Sequence, residues 1–156
     1  MIRSVLSLVA MTLALAGVPA ALHAHEGTHF SAGEPGDPKK PARTVEILMT
    51  QEYGTMAYVP NKIEVKRNEQ IRFVLKNVDV QTHEFLLASV ADNQKHAEVM
   101  KKHPEMEHDD RNGKWLAPKG TAEILWRFSK PGTFEFSCLI PGHREAGMVG
   151  TVVVKK

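Results

Sequence analysis

Cys138 is the only cysteine of the chain, and it opens the run Cys138-Leu-Ile-Pro-Gly-His143-Arg-Glu-Ala-Gly-Met148. A thiol, an imidazole and a thioether follow one another there at equal spacing. Well upstream, His83 heads the apolar segment His83-Glu-Phe-Leu-Leu87. Two histidines and a cysteine in a plane, with a weak axial methionine, make a type 1 (blue) copper electron-transfer site, because soft sulfur and borderline imidazole together hold both Cu(I) and Cu(II). A lone histidine at a strand end is ordinarily a surface or core residue, and a lone methionine ordinarily fills the core. Donors of these types in this order, at strand ends and in a loop, argue against coincidence.

The elements that would position these donors are mostly strands. Val45, Ile47 and Met49 alternate with polar residues, as do Ile63 and Val65, and then Ile71, Phe73 and Leu75. Such period-2 segments read as half-buried strands. A Lys66-Arg-Asn-Glu69 turn separates the last two, and further strands are expected at 82–87, 121–129, 133–138 and 148–155. Pro131-Gly132 marks a turn. One helix is expected from Val90 to His103, stopped by Pro104. About seven short strands with one inserted helix imply an all-β, Greek-key two-sheet sandwich. In that arrangement the 133–138 strand delivers Cys138, and the following loop wraps His143 and Met148 toward it. His83 arrives from another strand.

The amino-terminal residues read as an export signal over 1–24: Arg3, an apolar run from Val5 to Ala16, then small residues, with cleavage after Ala20 or after Ala24. The run is too short to span a bilayer, which takes about 20 residues. Either cut leaves roughly 130 residues, within the one-domain range of about 50–200. Residues 25–42, rich in Gly, Pro and charge, read as a flexible leader, and 43–156 as the folded domain. Export points to the periplasm, with secretion the alternative, and in either oxidising compartment a single cysteine has no intramolecular disulfide partner. Metal ligation explains it better than burial as an inert thiol. The formal charge is +2 with Lys and Arg dispersed, so nothing points to nucleic acid.

Over roughly residues 43–156 the chain resembles the cupredoxins, and among them the exported CopI-type proteins linked to bacterial copper tolerance. The resemblance is carried by Asn77, His83-Glu-Phe, Leu116-Ala-Pro118, Trp126-Arg-Phe and the run Phe134-Glu-Phe-Ser-Cys138 through Met148. It implies one type 1 copper with His83 and His143 as imidazole ligands, Cys138 as thiolate and Met148 as axial thioether. In azurin-like members an asparagine follows the first ligand histidine and ties the ligand loops together; here Glu84 stands there. Outer-shell groups tune a metal, so neither azurin's colour nor its reduction potential carries over to this site, and a distorted, greener site is one outcome that Glu84 allows. The apolar Leu139-Ile-Pro-Gly142 before His143 corresponds to the patch where cupredoxin redox partners dock. A periplasmic redox partner or copper-handling protein is therefore expected at His143, with the protein itself a monomer.

A second group of donors lies on the expected helix. His96, Met100 and His103 fall at i, i+4 and i+7 on one face, with Met106 and His108 beyond Pro104. Imidazole with thioether suits Cu(I), and a secondary metal site is one reading. The other places Val99 and Met100 in the core-facing stripe. Met49 and Met56 read as core or surface residues. The leader adds His25 and His29. Cleavage after Ala20 would put His23 third from a new amino terminus, a square-planar Cu(II) chelate; cleavage after Ala24 would put His25 first.

Three functions compete. A one-electron carrier uses the type 1 set alone. A copper-tolerance protein or copper buffer uses the same set plus the surplus His and Met. An enzyme of the multicopper oxidase or nitrite reductase kind needs further coppers fed by paired His-x-His motifs, and the chain offers only His23-Ala-His25. The expectation is a non-enzymatic copper protein.

Overall fold

The computed structural model describes residues 29–52, 54–104, 106 and 110–156. Its elements in chain order are β1 (Glu34–Pro35), β2 (Arg43–Glu52), β3 (Thr55–Val59), β4 (Lys62–Lys66), β5 (Gln70–Asn77), β6 (His83–Ala88), α1 (Val90–Lys102), β7 (Gly113–Leu116), β8 (Thr121–Arg127), β9 (Gly132–Ser137) and β10 (Val149–Lys155). The strands form two sheets, ordered β1-β8-β5-β2-β3 and β4-β10-β9-β6-β7. Most neighbours run antiparallel, while β2–β5 and β4–β10 are parallel, so the chain crosses between sheets as a Greek-key sandwich requires.

The alternation of apolar residues explains the packing. Ile71, Phe73 and Leu75 of β5, Ile124 and Trp126 of β8, Phe134 and Phe136 of β9, and Val152 and Val154 of β10 all point into one core between the sheets. Strand β6 is buried at every position. Its Phe85 and Leu87 join the inter-sheet core, while Leu86 faces a smaller cluster with Met100 of α1. Helix α1 thus lies on the outer face of the second sheet. Ser89 caps it, accepting the Asp92 N–H at 3.1 Å, and Lys101 and Lys102 sit in its last turn, where the helix dipole favours cations.

Three short strands extend the expected architecture. Strand β1 lies in the stretch expected as a flexible leader: Glu34 and Pro35 pair with β8, the Trp126 Nε1–H donates to the Ala32 carbonyl at 3.1 Å, and Phe30 meets Trp126 edge to face. Residues 29–42 therefore contribute packing to the sandwich. Strand β3 brings Met56 and Tyr58 into the core, and Met49 is buried there as well. The export signal, both cleavage points, His23, His25 and His108 lie outside the described residues.

Candidate metal centre

The donors are set by two strands and one loop at the same end of the sandwich. His83 is the first residue of β6 and is fully buried. The chain reaches it through Asn77, whose Nδ2 donates to the carbonyls of Gln81 (2.7 Å), Leu116 (3.1 Å) and Ala117 (3.1 Å), and whose Oδ1 accepts the Asp79 N–H at 3.0 Å. Cys138 directly follows β9. From there the loop is closed by its own backbone. The His143 N–H donates to Ile140, Ala146 to Gly142, Gly147 to Arg144 and Met148 to His143, and Cys138 donates to Met148 at 3.1 Å. Gly147 sits at φ +108°, where a Cβ would stand 2.8 Å from the Met56 carbonyl oxygen, so only glycine fits. The Met56 N–H in turn donates to Ala146 at 2.9 Å, bracing the loop against β3.

These elements bring three donors together. The Nδ1 atoms of His83 and His143 lie 3.2 Å apart, and Cys138 Sγ lies 3.4 Å from His143 Nδ1. The ligand atoms of the three residues all fall within 4.8 Å of one another. Among the described residues this is the one group of three or more His, Cys, Asp or Glu side chains close enough to share a metal ion. Met148 is fully buried in the same core cluster as Cys138.

The surroundings prepare each donor. Asp79 Oδ2 lies 2.8 Å from His83 Nε2. Burial works against ionisation of Asp79, but the hydrogen bonds from His83 and from the Val80 and Gln81 amides outweigh it and hold its carboxyl below the usual value. An anionic acceptor on Nε2 favours the proton there and leaves Nδ1 as a free lone pair. Burial, with His83 close by, lowers the His143 pKa and keeps its imidazole neutral. Burial pushes the Cys138 thiol up to about 12, against N–H donors from Glu84 and Ile140. Ionising that sulfur therefore calls for a cation beside it. Two imidazole nitrogens and a buried sulfur that needs a positive neighbour form a donor set that fits copper.

Glu84 holds the centre at three points. Its N–H donates to Cys138 Sγ at 3.3 Å, its Oε2 accepts the Leu139 N–H at 3.0 Å, and its carbonyl accepts the Tyr58 hydroxyl. The carboxyl thus supplies a tie between the two ligand segments. Burial raises its pKa to about 7, with the Leu139 N–H opposing the rise and Asp110 adding to it. Burial likewise holds the Tyr58 hydroxyl well above its ordinary pKa, so it remains a donor.

The second group of donors is distributed differently. Met100 is fully buried against Leu86 and Leu139, with Met106 and Trp115 packed on the same cluster. His96 is half-buried and lines a cavity of about 330 Å³ that His29 also lines. His103 caps the carboxyl end of α1 and is exposed. Sequence reasoning missed Asp79 and Glu84's carboxylate tie. Asp79 was detectable as a carboxylate four residues before a ligand histidine.

A two-sheet sandwich that gathers two imidazoles and one thiol at one end has the architecture of a cupredoxin. The comparisons agree: the model of the copper-binding proteins of the plastocyanin/azurin family matches residues 45–155, and the chain belongs to that family. It is 41% identical over 163 residues to the copper-resistant cuproprotein CopI of Rubrivivax gelatinosus, covering 99% of this chain and 97% of that protein. Its identity to the Pseudomonas aeruginosa protein of the same name is 32% over 152 residues, covering 79% and 82%. Among solved structures, a reduced auracyanin from Roseiflexus castenholzii shares the fold, with a TM-score of 0.63 at 24% identity over 75% of this chain and 100% of that one. Among the described residues no helix is long and apolar enough to cross a membrane.

Proposed function

We propose that this protein is an exported type 1 copper protein that serves copper tolerance in the periplasm by binding copper and exchanging single electrons. The observation that carries the reading is the convergence of His83, Cys138 and His143 within 4.8 Å on a thiol too buried to ionise without a cation. The resemblance adds Met148 as the axial ligand. Copper held there supplies one-electron exchange between Cu(I) and Cu(II). His83 and His143 each present a ring nitrogen, Asp79 orients the first imidazole, and the Glu84 N–H points at the sulfur. Identity to relatives named for copper resistance supports the tolerance role, and the amino-terminal signal pattern supports the periplasm.

His143 is half-buried, with Ile140, Pro141 and Gly142 beside it and the last two exposed. We read this as the docking edge for a periplasmic redox partner or copper-handling protein. The protein acts as a binding and electron-exchange protein, with no enzymatic turnover of its own. A second reading, a copper buffer holding more metal at His96, Met100, His103, Met106 and His108, draws on the Met100 and Met106 thioethers sharing one cluster.

A Cu(II) titration of the mature protein followed by visible absorption tests both. An intense thiolate-to-copper band saturating at one equivalent, with no further uptake, supports the electron-exchange centre. Tight uptake beyond that supports the buffer, and absence of the band overturns the type 1 assignment.

A further inference from the structure

His83 begins a strand and Cys138 directly follows one, but His143 and Met148 depend on a loop. Arg144, between those two, carries a charge that the centre does not use. Its Nη2 lies 2.7 Å from Glu135 Oε2 and its Nε 3.3 Å from Oε1, a two-pronged contact that fixes direction as well as distance. Glu135 belongs to β9, where Phe134 and Phe136 enter the inter-sheet core and Glu135 turns to the opposite face, under α1. Its side chain is 8% exposed and that of Arg144 31%. Asn93, fully buried in the first turn of α1, donates Nδ2 to the Glu135 carbonyl and to Oε1, both at 3.3 Å. Helix, strand and ligand loop thus meet on one carboxylate.

A carboxylate buried between a sheet and a helix costs free energy unless paired, and even a good pair is often no more stabilising than apolar residues of the same shape. What such a pair does supply is a fixed geometry. Here it fixes the residue next to a ligand. The Arg144 carbonyl accepts the Gly147 N–H and the His143 carbonyl accepts the Met148 N–H, so holding Arg144 holds both turns of the loop.

We infer that the Glu135–Arg144 pair, seated by Asn93, is a clamp that positions the His143 and Met148 segment of the ligand loop for metal binding. The inference rests on the copper reading of His83, Cys138 and His143. The three side chains are positioning residues that act through the loop.

The test is Cu(II) affinity, the thiolate-to-copper band and the reduction potential of the full chain bearing Arg144→Gln, Arg144→Lys or Glu135→Gln, with circular dichroism of each apoprotein to confirm folding. Arg144→Lys keeps the charge but loses the fork, so it guards against simple unfolding. Each variant is expected to bind copper ~10–100-fold more weakly, as loss of an outer-shell partner does, and to shift both the band and the potential. A lower unfolding midpoint with affinity, band and potential unchanged overturns the clamp and leaves the pair purely structural. A wild-type protein without the band removes the copper reading and the clamp with it.

Discussion

Residues 138–148 and residues 96–106 both offer imidazole and thioether at close spacing, yet among the described residues only the first stretch takes part in a cluster of three or more His, Cys, Asp or Glu donors. In 138–148 the donors sit just past a strand and around a closed loop, and a third arrives from another strand. They surround a point. In 96–106 they mostly project from one helix. Met100 turns inward to Leu86 and Leu139, His96 lines the neighbouring cavity, and His103 ends the helix in solvent. A helix face sets side chains in a row, whereas a metal needs donors from several directions. Donor type and spacing are therefore necessary at both sites, and convergence of separate elements distinguishes them.

Substitutions at the ligands and around them separate the two stretches. Cys138→Ser removes the soft donor, and the intense thiolate-to-copper band is expected to vanish in visible absorption. Copper uptake as tight in this variant as in the wild-type protein would place the metal outside residues 138–148 and erase the contrast. Asp79→Asn keeps the shape but removes the anionic acceptor on His83 Nε2. Copper affinity is expected to fall ~10–100-fold in competition with a chelator, and an unchanged affinity would deny the preparation of His83.

Gly147→Ala places a Cβ 2.8 Å from the Met56 carbonyl at φ +108°. Destabilisation of about 1–3 kcal/mol, the usual range for such backbone strain, is expected in thermal or denaturant unfolding. Met100→Leu is the smallest change. It swaps one apolar shape for another in a buried cluster, so stability is expected to move by less than about 1.5 kcal/mol, with no equivalent of copper lost in a titration. Loss of an equivalent would transfer the helix patch to metal chemistry.

The long alternating strands were legible because each places three or more large apolar residues on one face: Ile71, Phe73 and Leu75 in β5, and Ile124 and Trp126 with the neighbouring Phe128 along β8. The helix was legible as the stretch from Val90 to His103 that Pro104 stops. Strand β1 was not, since two residues that include a proline have no pattern of their own and pair only because β8 is there. Strand β3 has just Met56 and Tyr58 facing inward, and β7 is a short edge strand beginning at glycine. The converging donors His83, Cys138 and His143 were readable from residue type and order. The groups that prepare them were not. Glu84 reaches Leu139 and Arg144 reaches Glu135 across tertiary contacts, and nothing in local spacing marks such a partner.

If His83, Cys138 and His143 hold one copper through two imidazole nitrogens and a thiolate, X-ray absorption of the protein loaded with one equivalent of copper reads that donor set. Two nitrogen scatterers and one short copper–sulfur contact are expected, with that short contact absent from Cys138→Ser. A first shell of nitrogen and oxygen alone in the wild-type protein would contradict the assignment.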